Sequence, residues 1–180
     1  ADAVKFQTFT ADSVVTRTAA KAAYQKRSTS SSESQYSMLK KLELGRDAHI
    51  SLKKRCRKIG IEFLSSAFDE DSADFLYDIG MRKFKIPSGE ITNLPFLRHI
   101  ALKKCPIILS TGMSTMKEVG EALDIIYSAG NKNVILLHCV TEYPAPHAEI
   151  NLRAMLSMKE RFKVETGYSD HTIGAEISIA

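Results

Sequence analysis

Two hydrophobic periods alternate along the chain. Short β-rich runs occupy Ala3–Phe9, Glu62–Phe68, Lys83–Pro87, Pro106–Ser110, Val134–Val140 and Val164–Tyr168, and they read as strands bounded by turn residues. Most lead into a segment of helical spacing. After Asp69 the apolar positions are Ala73, Phe75, Leu76 and Ile79, with Gly80 as a stop. Asn93-Leu94-Pro95 reads as a helix start, with Asn as cap and Pro in the first turn. Thr115 and Glu118 form a capping box ahead of Val119, Ala122, Leu123 and Ile126, and this helix ends near Gly130. Asn151 is the expected cap for Leu152, Met155, Leu156 and Met158. From the second strand onward the strands recur about every 20–30 residues, the length of a βα unit.

Repeated βα units with short connections imply a parallel sheet. A doubly wound sheet and a (β/α)8 barrel both satisfy that rule. The barrel is favoured because polar residues mark many strand ends (Gln7, Ser66, Ser88, Ser110, Thr141, Ser169) rather than one switch point. The chain also lacks a G-x-G-x-x-G turn. Six βα units do not close eight strands, and an open barrel exposes unpaired edges. Residues 1–180 are therefore expected to form a partial TIM barrel lacking its first and last strands.

Composition narrows the setting. The chain has 180 residues, 44% hydrophobic and 26% charged, which suits one core. No run reaches the roughly 18 apolar residues of a membrane span, and no signal-peptide pattern opens the chain. Cys56, Cys105 and Cys139 have no metal-type spacing, so a reduced, cytoplasmic protein is expected. The formal charge is +4. Its main basic run, Lys53–Lys58, lies among Ile50, Leu52, Ile59 and Ile61. It reads as the solvated face of an amphipathic helix, not a nucleic-acid site, because no aromatic interleaving accompanies it. A mild basic excess also suits anionic small substrates. The polar segment Arg27–Ser34 reads as a surface loop or, alternatively, a substrate lid.

The candidate chemistry begins with two lysines inside apolar runs, Lys5 and Lys85. Such a lysine must reach solvent or find an anion. Two of them on separate strands point to an anionic ligand. Hydroxyls recur where strands give way to loops: Ser65, Ser66, Ser88, Ser110, Thr111 and Ser169. Ser88-Gly89 and Thr111-Gly112 pair a hydroxyl with glycine, which allows backbone N–H groups to approach a phosphate. His171 is either a structural hydrogen-bonding residue or a metal ligand with Asp170 behind it. His138, between Leu137 and Cys139, reads as a packed histidine. Glu90 is a candidate acid or base and Tyr143 a candidate sugar contact; both also fit as ordinary loop residues. Taken alone, these residues describe an anion-binding barrel with metal assistance and name no reaction.

Five motifs, in order, resemble the N-acetylneuraminate (sialic acid) synthase family, which includes the legionaminic and pseudaminic acid synthases. They are Ala3–Phe9, Phe84–Asn93, Pro106–Met113, Leu137–Pro146 and Gly167–Thr172. The Pro87–Glu90 and Glu142–Pro144 versions are more similar to the sialic and legionaminic types.

The resemblance implies a barrel followed by a small antifreeze-like domain, not present in this sequence, that completes a partner's site in a swapped homodimer. It implies condensation of phosphoenolpyruvate with N-acetylmannosamine, or a related N-acetylated amino sugar, with release of phosphate. A divalent Mn2+ or Mg2+ is the implied cofactor. By position, Lys5 and Ser66 resemble residues at the phosphoenolpyruvate carboxylate. Lys85, Ser88, Ser110 and Ser169 resemble those at its phosphate, with Lys85 and Glu90 as the catalytic pair. Gln7, Tyr143 and Glu90 resemble residues facing the sugar, and His171 one of two metal histidines. The second histidine is expected on the eighth strand and a further glutamate on the first. Thr141 stands where some members carry a phosphate-binding asparagine, so its contact departs from the pattern. Schiff-base aldolases and a non-catalytic sugar-binding barrel are the competing readings.

Overall fold

The computed structural model describes residues 1–29 and 33–179. It divides into two compact units, Ala1–Met81 and Arg82–Ala180.

The first unit holds β1 (Ala3–Thr8), four short-to-medium helices α1 (Ala11–Val14), α2 (Ala23–Ser28), α3 (Gln35–Leu42) and α4 (Arg46–Ile59), then β2 (Glu62–Ala67) and α5 (Glu70–Asp78). Strands β1 and β2 pair in parallel, with Lys5 opposite Leu64, Phe6 opposite Ser65 and Gln7 opposite Ser66. Side chains alternate across a strand, so Val4, Phe6 and Thr8 share one face with Phe63, Ser65 and Ala67. The rings of Phe6 and Phe63 stack at 5.5 Å on that face. Lys5, Gln7, Leu64 and Ser66 share the other.

Helix α4 differs from its expected amphipathic pattern. Its buried residues are His49 and Cys56, whereas Ile59 is 58% exposed. Two turns separate His49 from Cys56, which places both on the same side, with Ile50 and Leu52 half-buried at the margin of that stripe. Lys54, Arg55, Arg57 and Lys58 are exposed, as a solvated face requires. Asp69 caps α5 by accepting from the Ser72 N–H at 2.7 Å, and Gly80 ends the turn beyond it at φ +88°. Arg27 and Ser28 belong to α2 rather than to a loop. Ser30, Ser31 and Ser32 lie outside the described residues, and with them the central part of the expected lid.

The second unit repeats strand and helix: β3 (Phe84–Ile86), α6 (Leu94–Leu102), β4 (Ile107–Ser110), α7 (Met116–Ser128), β5 (Val134–His138), α8 (Ala154–Phe162), β6 (Glu165–Tyr168) and α9 (Glu176–Ile179). The four strands are parallel and paired in sequence order. Phe84, Ile86, Ile107, Leu109 and Leu136 are fully buried. These are the alternate positions of β3, β4 and β5. With Leu97 and Ile100 of α6 and Val119, Ala122 and Ile126 of α7, also buried, they form the core. Lys85, Ile108, Ser110, Ile135, Leu137 and Gly167 fall on the opposite face by the same alternation. Parallel strands joined by helices are the α/β class expected for part of a (β/α)8 barrel.

The capping signals hold for two of the three helices. Asn93 accepts from the Phe96 N–H of α6. Thr115 and Glu118 make the reciprocal capping box of α7. Asn151 does not cap α8, which starts at Ala154. Instead its carbonyl accepts from the Ala154 N–H at 3.0 Å in a preceding turn. Thr115→Ala is expected to lower unfolding free energy by about 1 kcal/mol with Thr115→Ser close to wild type, as read by urea denaturation.

Candidate functional site

Each candidate side chain takes its position from its strand register. In the second unit, Lys85 stands in the middle of β3, on the face away from the core. Its Nζ donates to Ser110 Oγ at 2.7 Å and to the Ile86 carbonyl at 3.0 Å. Lys85 lies opposite Ile108, so Ser110, two residues further along β4, shares its face. The ammonium therefore leans toward the C-terminal ends of the strands. Ser110 is buried, at 3% exposure.

Beyond β3 the chain makes a 3-10 turn, Ser88–Glu90. Ser88 is turned inward. Its Oγ accepts from the Gly112 N–H at 2.9 Å and lies 3.2 Å from Cys139 Sγ. A Cβ on Gly112 would meet Thr141 Cγ2 at 2.5 Å and Cys139 Sγ at 2.9 Å. Gly112 is thus required for close packing, and its N–H serves Ser88. That differs from the expectation that Gly112 frees a backbone N–H for phosphate. Glu90 accepts from Asn93 Nδ2 at 2.8 Å, so its carboxylate also supports the start of α6.

A third group forms after β6. The Ser169 N–H donates to the His138 carbonyl at 2.9 Å, extending the ladder by one residue. Ser169 Oγ lies 3.3 Å from His171 Nε2. His171 Nδ1 bonds to the Val140 carbonyl, and because a carbonyl only accepts, Nδ1 carries the proton. In the neutral imidazole Nε2 then keeps its lone pair. The Tyr143 ring lies 4.3 Å from the imidazole, and Tyr143 itself is 49% exposed. Asp170 shapes this loop by accepting from the Ser178 hydroxyl and from both the N–H and hydroxyl of Thr172. These bonds, Ser178 first, hold its carboxyl well below the usual carboxylate range.

A metal was expected at His171. Its Nδ1–H tautomer suits a ligand bonding through Nε2, so the residue fits as one donor. Among the described residues, however, no group of three or more His, Cys, Asp or Glu could hold an ion. His171 by itself offers one donor and does not make a site.

In the first unit, Lys5 and Gln7 are exposed on the face that Ser66 shares. Loss of water around the Lys5 ammonium lowers its pKa from the ordinary lysine value. Ser66 is 2% exposed. Ser65 is a correction to the ring of strand-end hydroxyls. It points to the helix side and bonds Thr8 Oγ1 at 2.7 Å. Thr111 is a second correction, because its hydroxyl donates to the Leu137 carbonyl at 3.1 Å and lies against Met158 of α8. Each is one position out of phase with a candidate site residue, Ser66 and Ser110 respectively. Sequence reasoning did not single out Cys139, which lies against Ser88, or His49, which bonds Thr8. For His49 the one available signal was a polar residue on the buried side of its own helix.

His138 is the packed histidine it was expected to be, stacked on Tyr168 at 5.9 Å. Burial lowers its pKa from the ordinary value, and its Nε2 has no hydrogen-bond partner.

The parallel strands, joined by helices and ending in polar groups, define part of a βα-barrel domain. The chain matches the NeuB family over residues 1–180 and belongs to it. It is 52% identical over 182 residues to the N,N'-diacetyllegionaminic acid synthase of Campylobacter jejuni, a match covering 100% of this chain and 54% of that protein. It is 49% identical over 178 residues to the synthase of the same name from Legionella pneumophila, covering 97% and 50%. The N-acetylneuraminic acid synthetase of Leptospira borgpetersenii, solved with citrate, superposes with a TM-score of 0.82 at 31% identity. That match covers 98% of this chain and 57% of that one. The chain spans about half the length of these relatives.

Two outcomes follow from this geometry. Gly112→Ala is expected to destabilise by about 1–3 kcal/mol through overpacking, visible as a lower midpoint of urea denaturation. For His138, a folded pKa below the unfolded value means stability is whole above about pH 6.5 and declines as pH falls toward the folded pKa. His138→Leu is expected to flatten the denaturation midpoint between pH 7 and 5 relative to wild type.

Proposed function

We propose that this chain is the catalytic barrel segment of a phosphoenolpyruvate-dependent nonulosonic acid synthase. The observation that carries the reading is the Lys85 ammonium held beside Ser110, on the sheet face away from the core. A cation and a hydroxyl at the C-terminal ends of parallel strands suit a phosphorylated anion. Family membership over the whole chain supports the same reading.

The reaction joins the methylene carbon of phosphoenolpyruvate to the aldehyde carbon of an N-acetylated amino sugar. Water then adds to the former enol carbon, and the C–O bond to phosphate breaks. Lys85 and Ser110 hold the phosphate and balance its charge as it leaves. Ser169 lines the same strand ends, and Thr141 is retained as a phosphate contact. Ser88 acts through the turn it anchors. Lys5 and Ser66 take the carboxylate role, and Gln7, Tyr143 and Glu90 face the acceptor. A divalent ion, Mn2+ or Mg2+, supplies Lewis acidity toward the aldehyde oxygen when bound, with His171 Nε2 as one ligand. The protein acts as a homodimer in the cytoplasm. Its three described cysteines are free thiols, and no described helix is long and apolar enough to cross a membrane.

The acceptor is most consistent with a 2,4-diacetamido sugar, because the relatives at 52% and 49% identity are named as diacetyllegionaminic acid synthases. N-acetylmannosamine is the alternative acceptor. A coupled phosphate-release assay on the full-length protein, run with both acceptors, decides between them. Phosphate from N-acetylmannosamine alone would return the assignment to sialic acid synthesis. Borohydride trapping of pyruvate on the protein would favour a Schiff-base aldolase, and binding of sugar without turnover a non-catalytic barrel. Lys85→Ala is expected to raise the KM for phosphoenolpyruvate roughly 10- to 100-fold, the effect of one charge-assisted hydrogen bond, with little change for the acceptor. Equal losses for both substrates would remove Lys85 from the phosphate.

A further inference from the structure

We infer that His49 is a positioning residue for the acceptor-facing end of β1. It is fully buried in α4. Its ring is held edge-on against Phe75 at 5.8 Å and Phe63 at 6.5 Å. Both ring nitrogens are bonded. Nδ1 lies 3.0 Å from the Gly45 carbonyl, one turn earlier in the chain, and Nε2 lies 2.8 Å from Thr8 Oγ1. Thr8 Oγ1 in turn lies 2.7 Å from Ser65 Oγ.

Donor chemistry gives this chain of bonds a single direction. The Gly45 carbonyl only accepts, so His49 Nδ1 donates, and in the neutral imidazole Nε2 is left as an acceptor. The Thr8 hydroxyl must then donate to Nε2. That uses its one proton, so the Ser65 hydroxyl donates to Thr8. All three polar side chains are at least nine-tenths buried, and an unmet hydrogen bond there is costly. The imidazole therefore ties the ends of β1 and β2 to α4 in one geometry.

The consequence lies on the opposite face of the two strands. Gln7 precedes Thr8, Ser66 follows Ser65, and Gln7 and Ser66 are register partners. With a side-chain period of two, fixing Thr8 and Ser65 toward the helix fixes Gln7 and Ser66 away from it. The inference rests on the proposed function for the identity of the ligands, and on the hydrogen-bond chain alone for the positioning.

The test uses full-length protein carrying Thr8→Val, which keeps the shape and removes the relay. Thr8→Ser keeps the hydroxyl, and Ser65→Ala removes only the last donor should the valine variant fail to fold. Two readouts are needed. The first is the side-chain amide resonance of Gln7 in a 15N-labelled sample, assigned by its loss in Gln7→Glu. The second is KM and kcat from phosphate release. Thr8→Val and Ser65→Ala are expected to shift the Gln7 resonance and to raise the acceptor KM about tenfold, with kcat within about threefold, while Thr8→Ser restores both. A Gln7 resonance and acceptor KM unchanged in Thr8→Val and Ser65→Ala would overturn the inference, as would a drop in melting temperature with no change in either readout. Wild type that releases no phosphate with any acceptor would sink the functional reading instead, and the Gln7 resonance would still decide the positioning role.

Discussion

A lysine in the middle of a parallel strand can be kept only if its ammonium emerges on the side away from the helices and meets acceptors there. The Lys85–Ser110 bond satisfies that requirement, and the other site groups of its unit are arranged around the same register. Strand β4 must place Ser110 on the lysine's face, so Ile107 and Leu109 must face the core. Strand β5 must then present Leu137 opposite Ser110, and β6 must present Gly167 opposite Leu137. A Cβ on Gly167 would approach Leu137 Cδ2 to 3.0 Å, so the glycine keeps this face open. A slip of one residue anywhere would carry Ser110 into the core and expose Leu109.

That dependence explains what could be read from the sequence. The six strands were legible within one or two residues, because β-branched runs between turn residues are a local signal. The helix starts at Asn93 and Thr115 were legible for the same reason, since a cap needs only a side chain and an N–H three residues away. Asn151 misled because a polar residue before an apolar run is equally at home in a preceding turn. For α4, the basic and apolar residues were both visible, yet the side it buries is marked by His49 and Cys56. A histidine does not register as core in a hydrophobicity pattern, and its burial depended on Thr8, which is 41 residues away in sequence.

The candidate site was partly legible. Residue types and strand ends pointed to Lys5, Gln7, Ser66, Lys85, Ser110, Ser169 and His171. The family motifs gave them roles. Composition could not say which of two adjacent hydroxyls faces which way. In the pairs Ser65-Ser66 and Ser110-Thr111, one member turns to the helices and the other away. Phase along a strand is settled only when its partner's register is known. Ser88 was recognised by motif, and its inward turn toward Gly112 and Cys139 became visible only when three strand ends were brought together.

The two populations of hydroxyl have different work, and the second makes the first possible. In the proposed reaction those on the face away from the helices present weak, exchangeable donors to an anion, which is useful only if they stay where they are when the anion leaves. Short polar side chains have little packing of their own to hold them. Their backbone must be fixed from behind, and in this chain it is. Thr8 and Ser65 are bonded through His49 to α4, and Thr111 is bonded to the carbonyl of the neighbouring strand beneath α8. A parallel strand buried on both faces would normally carry aliphatic residues at those inner positions. Replacing them by hydrogen-bonded hydroxyls gives up dispersion contacts for directional ones. A directional bond fixes the orientation of the peptide that follows it, which an aliphatic contact does not. Polar residues on the helix-facing side are thus part of how the opposite face keeps its geometry.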